Sequence, residues 1–343
     1  MIKNRSELLS HGFIKGRKKA LDIAEHALQQ VDPLAAVRRY VRLDGNLLQV
    51  NEDVFNLDNV NNIYAIGAGK ATYPLAVALE EILGDRISDG FIAIKKEQKS
   101  PLSGMLGTLS RIRVAESAHP VPDDTSLAAG QEIWRISEKV GQGDMVFCLM
   151  SGGVSAQSVY PVEGISFQDK VNINDLLVHS GADVTEIMTV RRHLSRIKGG
   201  RLAPRMLPAT VISLTVSDEK TDSMEWNTDW TSPDSTTLAD AVSVLKKYGL
   251  WEKVSEQIRD YLSTPTPQKE TPKSFPNQPL YYCMVVKTRE LWQAATKKSK
   301  DCGLTPVLLT TLLSGEIREV GRTIASIANE IILSGNPIQP PCT

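Results

Sequence analysis

The chain has 343 residues, 41% of them hydrophobic and 23% charged, which is enough to bury a substantial core and fits two domains better than one. Its 39 basic and 40 acidic side chains leave a formal charge of -1, so the basic excess that non-specific nucleic-acid binding requires is missing. No run of about 18 apolar residues occurs and MIKNRSELLSHGF has no apolar signal core, so neither membrane spanning nor secretion is expected, and the cytoplasm is the expected compartment.

Residues 17–31 have the period of an amphipathic helix, and 35–41 continue it beyond Pro33. Residues 62–66 read as a short apolar strand ending in Gly67-Ala68-Gly69-Lys70, followed by the helical pattern ATYPLAVALEEIL and a second strand at 90–94. A third strand is expected at 111–114, after which Pro120 and Pro122 enforce an extended loop before a helix that begins near Asp124. Residues 145–150 and 210–216 read as the fourth and fifth strands, with a helix over 186–197 between them. Strands alternating with helices predict an α/β fold, a parallel Rossmann-like sheet with helices on both faces. Ligands in such sheets bind beyond the carboxyl ends of the strands, here the turns 67–70, 116–123, 151–155 and 217–222.

The stretch 261–279, rich in Pro, Ser and Thr, reads as a linker or mobile excursion. Beyond it a strand at 281–286, a helix at 288–300, a strand at 305–309 and a long helix at about 316–333 predict a smaller α/β unit. The expected division is therefore an N-terminal domain at 1–260, a linker at 261–279 and a partial C-terminal α/β domain at 280–343.

Cys148, Cys283, Cys302 and Cys342 form no CxxC pair, and the histidines lack metal-ligand spacing, so neither a disulfide framework nor a structural zinc site is suggested. Cys148, inside an apolar strand, reads as a core residue. A Walker A loop would need glycine at Tyr64, a Rossmann fingerprint glycine at Thr72, and a hydrolase nucleophile elbow around Ser151 glycine at Leu149. What remains is a GxGK turn, an SGG turn and a cluster of cations, Arg191, Arg192, Arg196, Lys198 and Arg201, interleaved with Gly199-Gly200. Freed backbone amides beside positive charge suit an anion such as phosphate or carboxylate.

Taken together, IGAGKA, ESAHPVPDDTS, CLMSGGVSA, INDLLVHSGADVTEIMTVRRHLSRIKGGRLA, SDEKTD, SPDSTTLADAVSVLKKYGL and LSGEIREV resemble class II glycerate 2-kinases in order and spacing, from about residue 15 to 340. The resemblance implies transfer of the γ-phosphoryl group of ATP to the 2-hydroxyl of D-glycerate with Mg2+, the partners being a small hydroxy acid and ATP, with neither nucleic acid nor membrane involved. Some relatives have been labelled hydroxypyruvate reductases, for which this chain offers no dinucleotide fingerprint.

Phosphoryl transfer needs positioned positive charge and metal-holding carboxylates. Lys70, in the glycine turn with Gly67 and Gly69, suits the first role. Asp218 is expected to orient the glycerate hydroxyl, accept its proton or hold magnesium, with Asp222 a second metal candidate. Ser151, Gly152, Gly153 and Ser155 offer a turn for phosphate or carboxylate; Arg191, Lys198 and Arg201 offer cations for the same groups; Glu116 and His119 line a proline-stiffened loop. Arg192 and Arg196, on one helical face, read as solvated or paired with Glu186 and Asp183, and His193 as a packing residue.

The chain departs from the family pattern in three places. SGGGSAL is replaced by Ser151-Gly152-Gly153-Val154-Ser155-Ala156-Gln157, and a GDP…ASGPT segment by residues 221–231 without those glycines. The C-terminal GGET-type and GRNQE-type motifs do not occur. The second domain therefore reads as cut in half, to be completed by a separate chain or within a homodimer. The alternative is a truncated, non-catalytic relative that binds a ligand or partner.

Overall fold

The computed structural model describes residues 2–98, 106–217, 229–313 and 315–343. Among these, 33–217 and 229–285 make one compact unit and 2–32 with 286–343 another.

In the larger unit, β1 (Val41–Asp44), β2 (Leu47–Val50) and β3 (Asp53–Asn56) form an antiparallel meander. The main sheet consists of β4 (Ile63–Ala68), β5 (Ile87–Lys95), β6 (Ile112–Ser117), β7 (Met145–Met150), β8 (Thr210–Val216) and β9 (Leu280–Val286). They lie in the order β6-β5-β4-β7-β8-β9, with β4 parallel to β5 and β7, β5 to β6, and β7 to β8. The expected parallel Rossmann-like sheet is what forms. Both β4 (IYAIGA) and β7 (MVFCLM) are buried along their whole length, as central strands covered on two faces must be. On one face Tyr64, Ile66, Ala68, Val146, Cys148 and Met150 pack with Ile133 and Ile136 of the helix Asp124–Ser137. On the other, the helix Thr72–Leu83 lies so close that a Cβ on Gly67 would stand 2.7 Å from Thr72 Cγ2. Burial pushes the Cys148 thiol well above its ordinary range, in keeping with a core role.

The chain runs outward from β4 through β5 to β6, then returns to place β7 on the other side of β4. The carboxyl ends of β4 and β7 therefore form the topological switch point, the place where open α/β sheets bind their ligands.

Three expectations change. Residues 280–286 are the sixth strand of the main sheet rather than the start of a separate unit: Cys283, Met284 and Val285 are buried there. No strand forms at 305–309, where the only ladder element described is an isolated bridge between Thr305 and Cys342. The segment read as a linker begins inside the helix Glu256–Ser263 and then lies along the larger unit. There Thr271 is buried, Pro272 O accepts from Asp234 N at 2.9 Å, and Glu270 meets His193 at 3.0 Å. Proline and serine content signals the lack of a helix or strand; it does not preclude backbone satisfaction by neighbours.

In the smaller unit the helices Ile14–Gln30 and Thr288–Asp301 pack together, and Lys19 Nζ donates to Cys302 O at 3.2 Å. The helix Ile317–Ser334 buries none of its residues. No helix among the described residues is long and apolar enough to cross a membrane.

Candidate active site at the switch point

The two glycine turns that the sequence placed on the ligand-binding rim meet at the switch point. Gly69 has φ +135°, and a Cβ there would lie 2.2 Å from Ser151 Oγ, so only glycine lets the turn after β4 close on the turn after β7. Lys70 N donates to Gly152 O at 2.9 Å, and Ala71 N to Ser151 Oγ at 2.9 Å. Gly69 N is shared between Ala93 O at 3.2 Å and Gln157 Oε1 at 3.0 Å. The amides that lead into the helix Thr72–Leu83 are thus spent on the neighbouring turn, and Gly67 and Gly69 serve close packing. The N–H groups of Gly152 and Gly153 differ: neither donates to an acceptor among the described residues. Gly153, at φ +97°, also lets His119 approach, with the ring Nε2 3.2 Å from where a Cβ would sit. Lys70 is exposed on the same rim.

Beside the SGG turn lies a basic layer in which Lys170 and Lys198 are buried and Arg191 is half-buried. Arg191 Nη2 donates to Ser155 O at 3.3 Å, and Lys198 Nζ to Ser158 O at 2.5 Å. Lys170 Nζ donates to Arg191 O at 2.6 Å. Burial pushes Lys198 down to about 7, opposed by the Asp229 carboxylate and reinforced by Arg191. It also holds Arg191 down at about 10 and Lys170 well below the ordinary lysine range, the latter lowered further by Lys198 and Arg191. Arg191 keeps its charge beside the glycine turn, and an anion bound there would favour the protonated form of Lys198 as well.

A family model described as a domain of unknown function, DUF4147, matches residues 19–263. Glycerate 2-kinase of Pyrococcus horikoshii is 35% identical over 329 residues, 95% of this chain and 72% of that protein. The chain belongs to the glycerate kinase family. D-glycerate 2-kinase of Thermotoga maritima is 31% identical over 328 residues, covering 95% of this chain and 71% of that one. A crystal structure of glycerate kinase from Thermotoga maritima superposes with a TM-score of 0.74 at 30% identity, covering 95% of this chain and 72% of its own.

Of the residues expected from the family, the fold brings Lys70, Ser151, Gly152, Gly153 and His119 to one rim and sets Arg191 and Lys198 beside it. Ser151 spends its hydroxyl on Ala71 N, and Ser155 turns its hydroxyl towards Met188 Sδ at 3.6 Å. Glu116 accepts from Glu97 N at 3.1 Å, holding the turn after β5. Arg201 donates to Lys269 O and lines a separate depression of about 940 Å³ with Trp134, Arg196 and Tyr261. Asp218 and Asp222 lie outside the described residues, and among those described no group of His, Cys, Asp or Glu is arranged to hold a metal ion.

Arg192 is neither solvated nor paired with Glu186 or Asp183. It is 1% exposed, with Nε 2.8 Å from Asp229 and Nη1 3.1 Å from Asp234. The helix carrying it ends at His193, so Arg196 leaves the shared face and stands over Tyr160, 5.0 Å from the ring centroid. Asp183 caps its own helix, while Glu186 is bonded by Lys247 and Tyr248, which hold it down at about 2. His193 is a buried packing residue as expected, its pKa lowered by burial.

The sequence reading missed Lys170 and Gln157. Lys170 shares the buried face of the helix Phe167–Val178 with Ile173, Asn174 and Leu177, and a lysine at that spacing on an apolar face is the signal that marks it. Gln157 carries no such signal: its role depends on a turn 88 residues earlier in the chain.

Proposed function

We propose that the chain transfers the γ-phosphoryl group of ATP to the 2-hydroxyl of D-glycerate, giving 2-phosphoglycerate, with Mg2+ accompanying the nucleotide. The observation that carries this reading is the switch point, where Lys70 beyond β4, the Gly152 and Gly153 amides beyond β7 and His119 beyond β6 share one rim of the sheet. Its support is the kinship, over 95% of the chain, with proteins that bear that name.

Phosphoryl transfer depends on positioning and on neutralising charge spread over the transferred group. In this reading the Lys70 ammonium approaches the phosphoryl oxygens, the Gly152 and Gly153 N–H groups donate to an anionic oxygen, and Arg191 and Lys198 offset negative charge from beside the turn. Asp218, two residues beyond the end of β8, accepts the proton of the substrate hydroxyl. Asp218 and Asp222 are hard oxygen donors of the kind Mg2+ prefers, and the bound ion would neutralise phosphate charge. Arg201, in its separate depression, is left without a part in transfer.

The test is ATP consumption by the purified chain with Mg2+ and D-glycerate, L-glycerate, erythronate or hydroxypyruvate, with NADH and hydroxypyruvate as a separate arm. Turnover of one acid, with phosphate placed on its 2-hydroxyl by NMR, is the expected result. NADH oxidation without ATP consumption would replace the kinase reading with a reductase.

A further inference from the structure

Gln157 ends the short helix Val154–Gln157 and is 0% exposed. Its backbone carbonyl accepts from Ser117 Oγ, on the last residue of β6, at 2.7 Å. Its side-chain Oε1 accepts from Gly69 N, in the turn after β4, at 3.0 Å. One residue following β7 therefore ties together three strand ends around the switch point. The other end of the carboxamide is different. Nε2 is buried and has no hydrogen-bond partner among the described residues. It stands 3.2 Å from the point a Gly153 Cβ would occupy, and His119 Nε2 is 3.2 Å from the same point.

A buried amide donor left without an acceptor is costly, and such groups survive where a ligand satisfies them. Rotating the carboxamide would sacrifice the bond to Gly69 N, so the orientation is set by the network. The unpaired donors carried by this loop among the described residues, Gln157 Nε2 and the Gly152 and Gly153 N–H groups, are complemented by an acceptor that carries negative charge.

We propose that Gln157 is a substrate-contacting residue of the switch point, its Nε2 donating to an anionic oxygen of a bound substrate while Oε1 holds the Gly69 turn in register. The inference rests on the kinase reading, which provides two such oxygens, the carboxylate of the hydroxy acid and the phosphoryl group of the nucleotide.

Calorimetric titration of the full chain with D-glycerate alone and with Mg-ATP alone tests it, using wild type, Gln157→Leu and Gln157→Glu, with Tm measured for each. Gln157→Glu keeps an acceptor for Gly69 N but replaces the donor with a carboxylate. Both variants are expected to weaken one ligand by about tenfold or more and leave the other within about twofold. Loss in the acid arm assigns the carboxylate, and loss in the nucleotide arm assigns the phosphoryl group. Unchanged affinity of all three proteins for both ligands overturns the proposal, as does a loss confined to Gln157→Leu, which would mark a strut to Gly69 and no more. Wild type binding neither ligand overturns the kinase reading and this inference with it, an outcome distinct from the other two.

Discussion

Gly69 and Ser151 approach so closely that a single added carbon on Gly69 would sit 2.2 Å from the Ser151 hydroxyl oxygen and 2.6 Å from its carbonyl oxygen. The contact joins the first and fourth strands of the main sheet at the point where the chain reverses its direction of spread. The hydroxyl could rotate aside, but the carbonyl oxygen belongs to the backbone and can yield only if the turn itself moves. Gly69→Ala therefore forces the two turns apart and adds backbone strain at a positive φ, a cost of about 2–4 kcal/mol. Urea unfolding should show that loss, and a variant as stable as wild type would mean the turns are not held as described.

Lys70 is exposed, so its truncation has little packing to disturb. Lys70→Ala is expected to stay within about 0.5 kcal/mol of wild-type stability while lowering kcat on the acid substrate by roughly 10²-fold or more. Steady-state kinetics beside a thermal melt separate the two effects, and a variant with normal kcat would remove Lys70 from the transfer step.

Arg192 stands between Asp229 and Asp234, all three buried. Removing the cation strands two carboxylates in a low-dielectric interior, where breaking a buried pair costs about 3–5 kcal/mol. Arg192→Leu should be severely destabilised, and Arg192→Leu combined with Asp229→Asn and Asp234→Asn should recover part of the loss. A double-mutant cycle by denaturant titration checks both statements.

Lys198 carries a pH signature because burial lowers it from 10.5 to about 7. Between these values the unfolded chain holds a proton that the folded chain lacks, so this group makes stability rise with pH from about 7 to 10.5. Anion binding beside it works in the opposite sense, since an anion favours the protonated form. Affinity for an anionic ligand should fall by up to about tenfold per pH unit above 7, accompanied by proton uptake. Lys198→Met should flatten both dependences. Calorimetry in buffers of different ionisation enthalpy measures the uptake, and its absence in wild type would place the anion away from Lys198.

Much of this molecule is legible in its residues. IYAIGA and MVFCLM read as apolar strands and prove buried on both faces, and the helix expected near Asp124 starts there, capped by Asp123. The glycine turns could be named as rim elements because parallel strands present their carboxyl ends together. The side chains of VRRHLSRIKGGRLA could not be sorted in the same way. Helical spacing put Arg192 and Arg196 on one surface, but the helix stops at His193 and Arg192 turns inward to Asp229 and Asp234, residues that arrive from another part of the chain.

The sequence by itself determined local matters: the five strands between 62 and 216, the helices that follow Lys70 and Asp123, which turns have the freedom to carry ligand-binding amides, and the kinship to glycerate kinases. These follow from periodicity, capping and glycine placement, all of which act within a few residues. Only the tertiary structure decided that the β4 and β7 turns are neighbours, that 280–286 completes the main sheet, that Arg201 donates to Lys269 O, and that Gln157 links three strand ends. The reason is physical: strand order, burial of charge and the pairing of polar groups are set by contacts between residues distant in the chain, and a local pattern carries no record of its partner.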